Sequence, residues 1–423
     1  MGRSTRARWL PTWNLSGAWN AHEESWFENI FKDVLTHATL RASYSLTGDK
    51  PAITNAVVII QSDTPWRPFT KDKETSLSIS QFGNPDLTYE KKHELNLGVD
   101  LGFLNNRINF QFDWYTRTNF DLIGPKRTTG VGGTIVNYAN VAEMKSHGEE
   151  FTLSTRNIEK PNFKWGTDLI FSHTHCEVTK LEARNRIIDL LTGSGFTTEG
   201  YPYRSLFSID FRGLNSYGLP TFINQNGEIT TSDLDFQSYK TDHLIYEGPS
   251  DPTVTGSLGN MFTFWNRLHV NLFITYSFGN VVRLDPAFAS SYSDMSAMPK
   301  EFNNRWVVSG DENVTNIPAI ADLRQIQSDG YLSRAYNAYN YSHERIAKGD
   351  FIRMKEISVA YDLPNNWVRA MRLSNASMKL QATNLFLIYA DKKLNGQDPE
   401  FVNAGGTALP MQRQFTFTLR LGI

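Results

Sequence analysis

The sequence is almost without cysteine: Cys176 is the one thiol in 423 residues, which excludes an intramolecular disulfide and a thiolate-rich metal site. Long apolar runs are missing too. The best stretches, such as Ala56–Ile60 and Leu385–Ala390, fall far short of the ~20 consecutive apolar residues of a spanning helix, so an α-helical membrane protein is excluded. Charge of neither sign is in excess. With 42 Lys and Arg against 44 Asp and Glu, a net charge of -2 and a pI near 6.5, there is no basic footprint, and nucleic acid is set aside as a partner. An export signal is not legible either. Arg3, Arg6 and Arg8 stand near the start without an apolar core behind them, and the expectation is that Met1 lies inside a longer reading frame.

Aromatic residues are plentiful. Phe, Trp and Tyr make up 13% of the chain against 40% for all hydrophobic types, about a third of the apolar content, which is rich for a soluble enzyme. The mean hydropathy of -0.40 does not argue against a membrane, because barrel strands show apolar side chains to lipid only at alternate positions.

Period-2 alternation is the dominant pattern. At the end of the chain Phe415, Phe417, Leu419, Leu421 and Ile423 alternate with Gln414, Thr416, Thr418 and Arg420. Leu268, Val270, Leu272, Ile274, Tyr276 and Phe278 do the same, as do Ile108, Phe110, Phe112 and Trp114, and Tyr89, Leu95, Leu97, Val99 and Leu101. Such runs are longer than the ~5 to 6 residues of an average strand. About eleven strands are expected, near Thr12, Thr39, Glu94, Phe112, Phe151, Leu169, Phe262, Leu272, Lys355, Lys379 and Thr418. Short links are expected at 102–106, 157–162, 265–267 and 362–375, and long ones at 48–88, 119–145, 176–254, 280–350 and 389–410. Short amphipathic helices are expected at 24–34 and 365–372. With the C-terminus on the periplasmic side, short links fall on that side and long loops outside, the pattern of bacterial outer-membrane barrels. An odd strand set leaves two unpaired edges, which in lipid must be completed by further strands.

A series of short motifs resembles one family, the SusC/RagA-type TonB-dependent transporters (TonB-dependent receptors). Gly83-Asn84-Pro85-Asp86-Leu87 precedes Glu90-Lys91 and the strand Leu95–Asp100; Asn140–Met144 precedes His147–Glu150. Tyr201-Pro202, Gly213-Leu214 and Gly218-Leu219-Pro220 follow, then Phe273–Asn280, Asp350–Ile357, Tyr361–Pro364, Asn384–Phe386, Asp398–Glu400 and Leu409-Pro410. The ordered series covers nearly the whole chain. The resemblance implies an all-β fold: an antiparallel transmembrane outer-membrane β-barrel of 22 strands, of which residues 1–423 supply the C-terminal half with its long extracellular loops. It implies that the plug domain and export signal belong elsewhere. It also implies nutrient uptake of an oligosaccharide (glycan) or peptide substrate without enzymatic chemistry. The partners implied are a SusD-like lipoprotein, the TonB complex acting through the missing plug, and outer-membrane lipids. The family usually ends in Phe, where this chain has Ile423.

Among candidate sites, His173 and His175 share a strand face and Cys176 follows, but two ligands from one strand are too few for a metal without distant partners. Glu23-Glu24 and Glu149-Glu150 are sequence neighbours, so on a strand each pair points to opposite faces rather than to one reaction centre. Trp114, Trp165 and Trp265 sit in strands or beside short turns and read as a lipid-interface girdle. Trp66 and Trp306 lie in long loops and are candidate contacts for substrate or partner, with loop packing as the other reading. The loop 280–350 is rich in Asn, Ser, Asp and Tyr, and loops of that length are functional or disordered. Two other readings stand beside the importer: a soluble all-β glycan-binding or glycan-cleaving protein, and a gene remnant without function.

Overall fold

The computed structural model describes residues 9–31, 34–49, 57–70, 72–127, 130, 136–182, 184–192, 197–284, 300–320, 332–401, 410 and 412–422. One sheet organises them. Its strands are β1 (Trp13–Asn20), β2 (Leu35–Asp49), β3 (Glu90–Phe103), β4 (Ile108–Arg127), β5 (Val136–Lys160), β6 (Phe163–Leu181), β7 (Val254–Phe264), β8 (Leu268–Phe278), β9 (Phe351–Asp362), β10 (Asn375–Ala390) and β11 (Gln414–Gly422). Each pairs antiparallel with the next, giving an eleven-stranded meander. Ten of the eleven expected positions lie inside these strands; Thr12 sits one residue before β1.

The registers keep most apolar positions of the strands on one face; Tyr115, Ile170, Met261 and Phe273 fall on the other. One row runs Trp19, Leu40, Val99, Phe112, Phe151, Phe171, Gly256, Tyr276 across eight strands. A second runs Phe163, Phe264, Leu268, Tyr361, Met378, Leu419 across β6 to β11. A slip by one residue in any pair would turn that strand inside out, so the pattern itself fixes the pairing. The opposite face carries Arg41, Asp113, Glu150, Ser172, Thr255 and Ser277 in a single row.

The apolar face is bare rather than packed: Phe415 is 77% exposed, Phe417 61% and Leu380 62%. Water would penalise this at roughly 25 cal/mol per Å², whereas hydrocarbon does not. Ten residue steps from Leu268 to Phe278, at about 3.4 Å each and tilted by about 40°, give a band about 25 Å tall, the thickness a bilayer asks of a barrel. Aromatic side chains border it. Trp165 stacks on Phe262 at 5.9 Å and Phe163 lies 5.2 Å from Phe264 near the short-turn end. Trp13, Tyr44, His93 and Phe120 gather near the other.

The short links hold their sharp conformations by local geometry. At 265–267, Trp265 and Asn266 both take left-handed backbone, with φ of 51° and 54°, and Arg267 N–H closes onto Phe264 O at 3.0 Å, the type I′ hairpin whose twist suits antiparallel strands. The two expected helices are present but shorter, at Ser25–Phe31 and Asn365–Ala370. Phe27 of the first packs with Ala21 and Ala38 under Leu35 and Leu101.

Two expected long links are not plain loops. The link expected at 119–145 is strand to Arg127 and strand again from Val136. A bulge between Asn119 and Leu122, with Asp121 at φ 56°, breaks the alternation there without ending the pairing. The link after β2 contains a hairpin of Ile59–Asp63 with Ser76–Gln81. Ile423 and Leu409 lie outside the described residues.

Because eleven is odd, β1 and β11 run in the same direction. They cannot pair antiparallel with each other, so antiparallel closure takes an odd number of additional strands.

Candidate functional site

The long connections gather on the side of the sheet away from the short turns. The two longest fold together. Ile187, Leu191, Ile209, Phe211, Phe222 and Leu234 of the link after β6 share a buried core with Phe302, Ala338 and Tyr339 of the link after β8. Backbone bonds sew them: Ile209 N–H donates to Tyr341 O at 2.9 Å and His343 N–H to Ile209 O at 3.2 Å. A short ladder of Val281–Arg283 with Ile346–Lys348 closes the neck of the second loop. Leu394, from the link after β10, enters a satellite core with Val282, Leu284 and Ala347. The long connections therefore form a folded cap with its own interior.

The sequence motifs turn out to be partners of one another. Asn140 joins the base of two loops: its Oδ1 accepts from Thr88 N–H at 2.9 Å, and its Nδ2 donates to Asp121 O at 2.5 Å. Asn84 donates to Tyr138 O at 2.9 Å, and Glu90 accepts from Ile123 N–H at 2.8 Å. The Gly83–Glu90 motif and the Asn140 motif thus lock across the β4 bulge. Asp350 accepts from Gly279 N–H at 2.7 Å, and Gly349 N–H donates to Asn280 O at 2.9 Å. Arg353, buried on β9, pairs with Asp398 and, at 2.9 Å, with Glu400. These contacts pin loop bases to the wall.

The polar face of the wall is laced with ion pairs. Arg41 reaches Asp100 and Asp113, both at 2.9 Å. Glu94 meets Lys92 at 2.6 Å and Arg117 at 3.2 Å. Arg117 lies 3.9 Å over the Tyr115 ring, whose hydroxyl bonds Thr174 Oγ1 at 2.8 Å. In the cap, Arg283 donates to Phe207 O, and its Nε and Nη1 are sealed without a partner among the described residues. Burial pulls its pKa down to about 10. Burial also lowers His243, against the nearby Asp242 charge.

The sequence-singled residues separate clearly. Trp66 is 62% exposed beside the Ile59–Gln81 hairpin, with Lys73 Nζ 4.9 Å over its ring. Trp306 is folded in: its ring lies against Gly218, its Nε1 donates to Glu312 at 2.9 Å and its N–H to Ile317 O at 2.9 Å. Gly218 has φ 71°, and a Cβ there would fall 2.4 Å from the Trp306 ring. Trp114 and Trp165 lie on the apolar face and Trp265 on a short turn, as girdle residues would. Glu24 accepts from Trp19 Nε1 at 3.0 Å, while Glu149 and Glu150 fall on opposite faces. His173 and His175 share the apolar-side face, with Cys176 on the other. Among the described residues, no group of three His, Cys, Asp or Glu side chains is placed to hold a metal ion. Sequence reasoning missed the shared core of the cap, whose apolar residues are spread over two loops without a period.

No family model matches the chain. It is 25% identical over 416 residues to TonB-dependent receptor P3 of Formosa agariphila, covering 90% of this chain and 37% of the relative. It is 25% identical over 448 residues to TonB-dependent receptor SusC of Bacteroides thetaiotaomicron, covering 98% and 40%. In fold it matches the RagAB peptide transporter with a TM-score of 0.76 at 21% identity, over 99% of this chain and 44% of that one. The chain thus spans roughly two fifths of the length of the curated relatives it matches.

Proposed function

We propose, on the premise that this chain is a homologue of SusC and of TonB-dependent receptors, that it forms the C-terminal wall and outer cap of an outer-membrane importer for oligosaccharides or peptides. The observation that carries this is the predominantly apolar face shared by all eleven strands of one sheet, joined to a folded cap at one end only. A soluble glycan-binding or glycan-cleaving sandwich would bury that face against a second sheet. The odd strand count is met by an N-terminal half-barrel, which also brings the plug on which the TonB complex acts.

In this reading the wall does no chemistry. Substrate enters between cap and wall, and a SusD-like lipoprotein covers the cap from outside. Trp66, exposed beside its hairpin, serves as a contact for substrate or for that partner. Trp306 shapes the surface around it rather than touching the cargo. The RagAB name is that of a peptide transporter and the SusC-like relatives are named as receptors, so both cargo classes are carried forward.

The test is deletion of the gene followed by uptake of labelled oligosaccharides and labelled peptides in whole cells, with fractionation of the wild-type protein. Loss of one uptake class, with the protein in the outer membrane, supports the reading. Protein in the soluble fraction with uptake intact overturns it.

A further inference from the structure

The link from β1 to β2, at the short-turn end of the sheet, carries the helix Ser25–Phe31. A helix this short does not hold in water by itself, so packing must hold it. Phe27 is buried against Ala21 and Ala38, with Leu35 and Leu101 around it. Ala38 stands opposite Leu101 in the β2–β3 register, two residues on from the pair Leu40 and Val99 of the apolar row. Residues two apart share a strand face, so the helix is seated on the lipid side of the wall and not in its lumen. Its far end is tied to the next turn, where Leu104 N–H donates to Val34 O at 2.9 Å.

At about 100° per residue, Trp26 and Ile30 share one flank of this helix and Glu28 points the opposite way. The apolar flank is uncovered: Trp26 is 42% exposed and Ile30 64%. It is also joined to the membrane band. The Trp26 ring lies 6.4 Å from that of Trp19, which stands beside Leu40 in the apolar row. Phe27 follows Trp26 at 5.8 Å and Phe31 follows Phe27 at 4.8 Å. Trp19 keeps a polar edge, its Nε1 donating to Glu24 at 3.0 Å, as an indole at headgroup depth does. A lone exposed apolar side chain needs no explanation, but a flank continuous with the lipid-facing surface does.

We propose that the helix Ser25–Phe31 is an interfacial anchor, with Trp26 and Ile30 inserted among the headgroups and upper acyl chains of the periplasmic phospholipid leaflet. Residues 21–34 hold Glu23, Glu24, Glu28 and Asp33 against Lys32, an acidic balance that suits a zwitterionic headgroup and not an anionic one. This anchor rests on the membrane-wall reading and goes beyond it, because a connection between strands, and not only the strands, takes hold of the bilayer.

The experiment places a fluorescent label at Trp26→Cys, Ile30→Cys, Glu28→Cys and Phe417→Cys, one at a time, in Cys176→Ser protein extracted from outer membranes and reconstituted in phosphatidylcholine vesicles. Quenching is read as phosphatidylcholine brominated high on its acyl chains replaces the plain lipid. The expected result is quenching at positions 26, 30 and 417 at least about 2-fold above that at 28. Ile30, outside the aromatic chain, carries the test if loss of the Trp26 ring unseats the helix. Quenching at 417 with positions 26 and 30 no higher than 28 overturns the anchor and leaves the wall standing; a soluble partner seated on the flank would give this result. No quenching at 417 overturns the wall, and the anchor with it.

Discussion

Arg41 closes a 2.9 Å ion pair with Asp113, although β3 runs between their strands. The position between them is Gly98, and a Cβ there would lie 2.7 Å from the Arg41 Cζ and 2.6 Å from an Asp113 oxygen. The missing side chain is what lets a guanidinium lie flat across a strand and tie three strands on the polar face.

Gly98→Val should therefore break the tie and force strand or side-chain shifts costing about 1–3 kcal/mol. Asp113→Asn keeps the Asp100 bond and, being partly solvated, should cost under about 1 kcal/mol. Urea unfolding midpoints in detergent distinguish the two, and a Gly98→Val midpoint at or above that of Asp113→Asn would refute the argument.

Arg353 and Asp398 are both nearly sealed, at 5% and 7% side-chain exposure. Removing the cation strands a buried carboxylate, a loss of about 3–5 kcal/mol. Arg353→Ala should free the link between β10 and β11 for proteolysis while Arg420→Ala, exposed on β11, should not. Limited digestion followed by mass analysis reads the difference.

The loop knot around Trp306 predicts a pH dependence. The Glu312 carboxylate is held below its ordinary range, first by the Trp306 Nε1–H bond and then by backbone N–H groups. A depressed folded pKa gives stability that is complete above the unfolded value and is lost as pH falls through the folded one. Trp306 fluorescence should stay constant near neutrality and change only below the usual carboxylate range. Glu312→Gln should abolish that transition; a transition near pH 6 would contradict this assignment.

Trp66 and Trp306 should part in function. Trp66→Ala should leave unfolding unchanged and weaken substrate or lipoprotein binding about 10-fold, in line with an exposed aromatic anchor. Trp306→Ala should instead raise protease sensitivity of the 300–320 segment. Equal, purely structural effects at both positions would remove Trp66 from the recognition surface.

Much of the wall could be read from the sequence because alternation is a local signal repeated in Phe415, Phe417 and Leu419 as in Phe110 and Phe112. It failed where a bulge shifts the period, at Asp121: β4 was expected to end too early and β5 to begin too late. The motifs were visible as words, but their grammar was not. That Asn140 bonds Thr88, or that Arg353 meets Asp398 and Glu400, depends on chain crossings that no local pattern encodes. The core of the cap was hidden for the same reason: Phe222 and Phe302 touch one cluster from loops 80 positions apart in the numbering.

The most direct test of the membrane wall is a cysteine scan of β11 in Cys176→Ser protein in outer membranes, each site carrying a spin label. Labels at Phe415, Phe417, Leu419 and Leu421 should be relaxed by oxygen from the lipid, and labels at Thr416, Thr418 and Arg420 by a water-soluble nickel complex. A period-2 exchange between the two relaxers is the predicted result. Equal access of the nickel complex to all seven positions would place both faces of β11 in water and contradict the barrel.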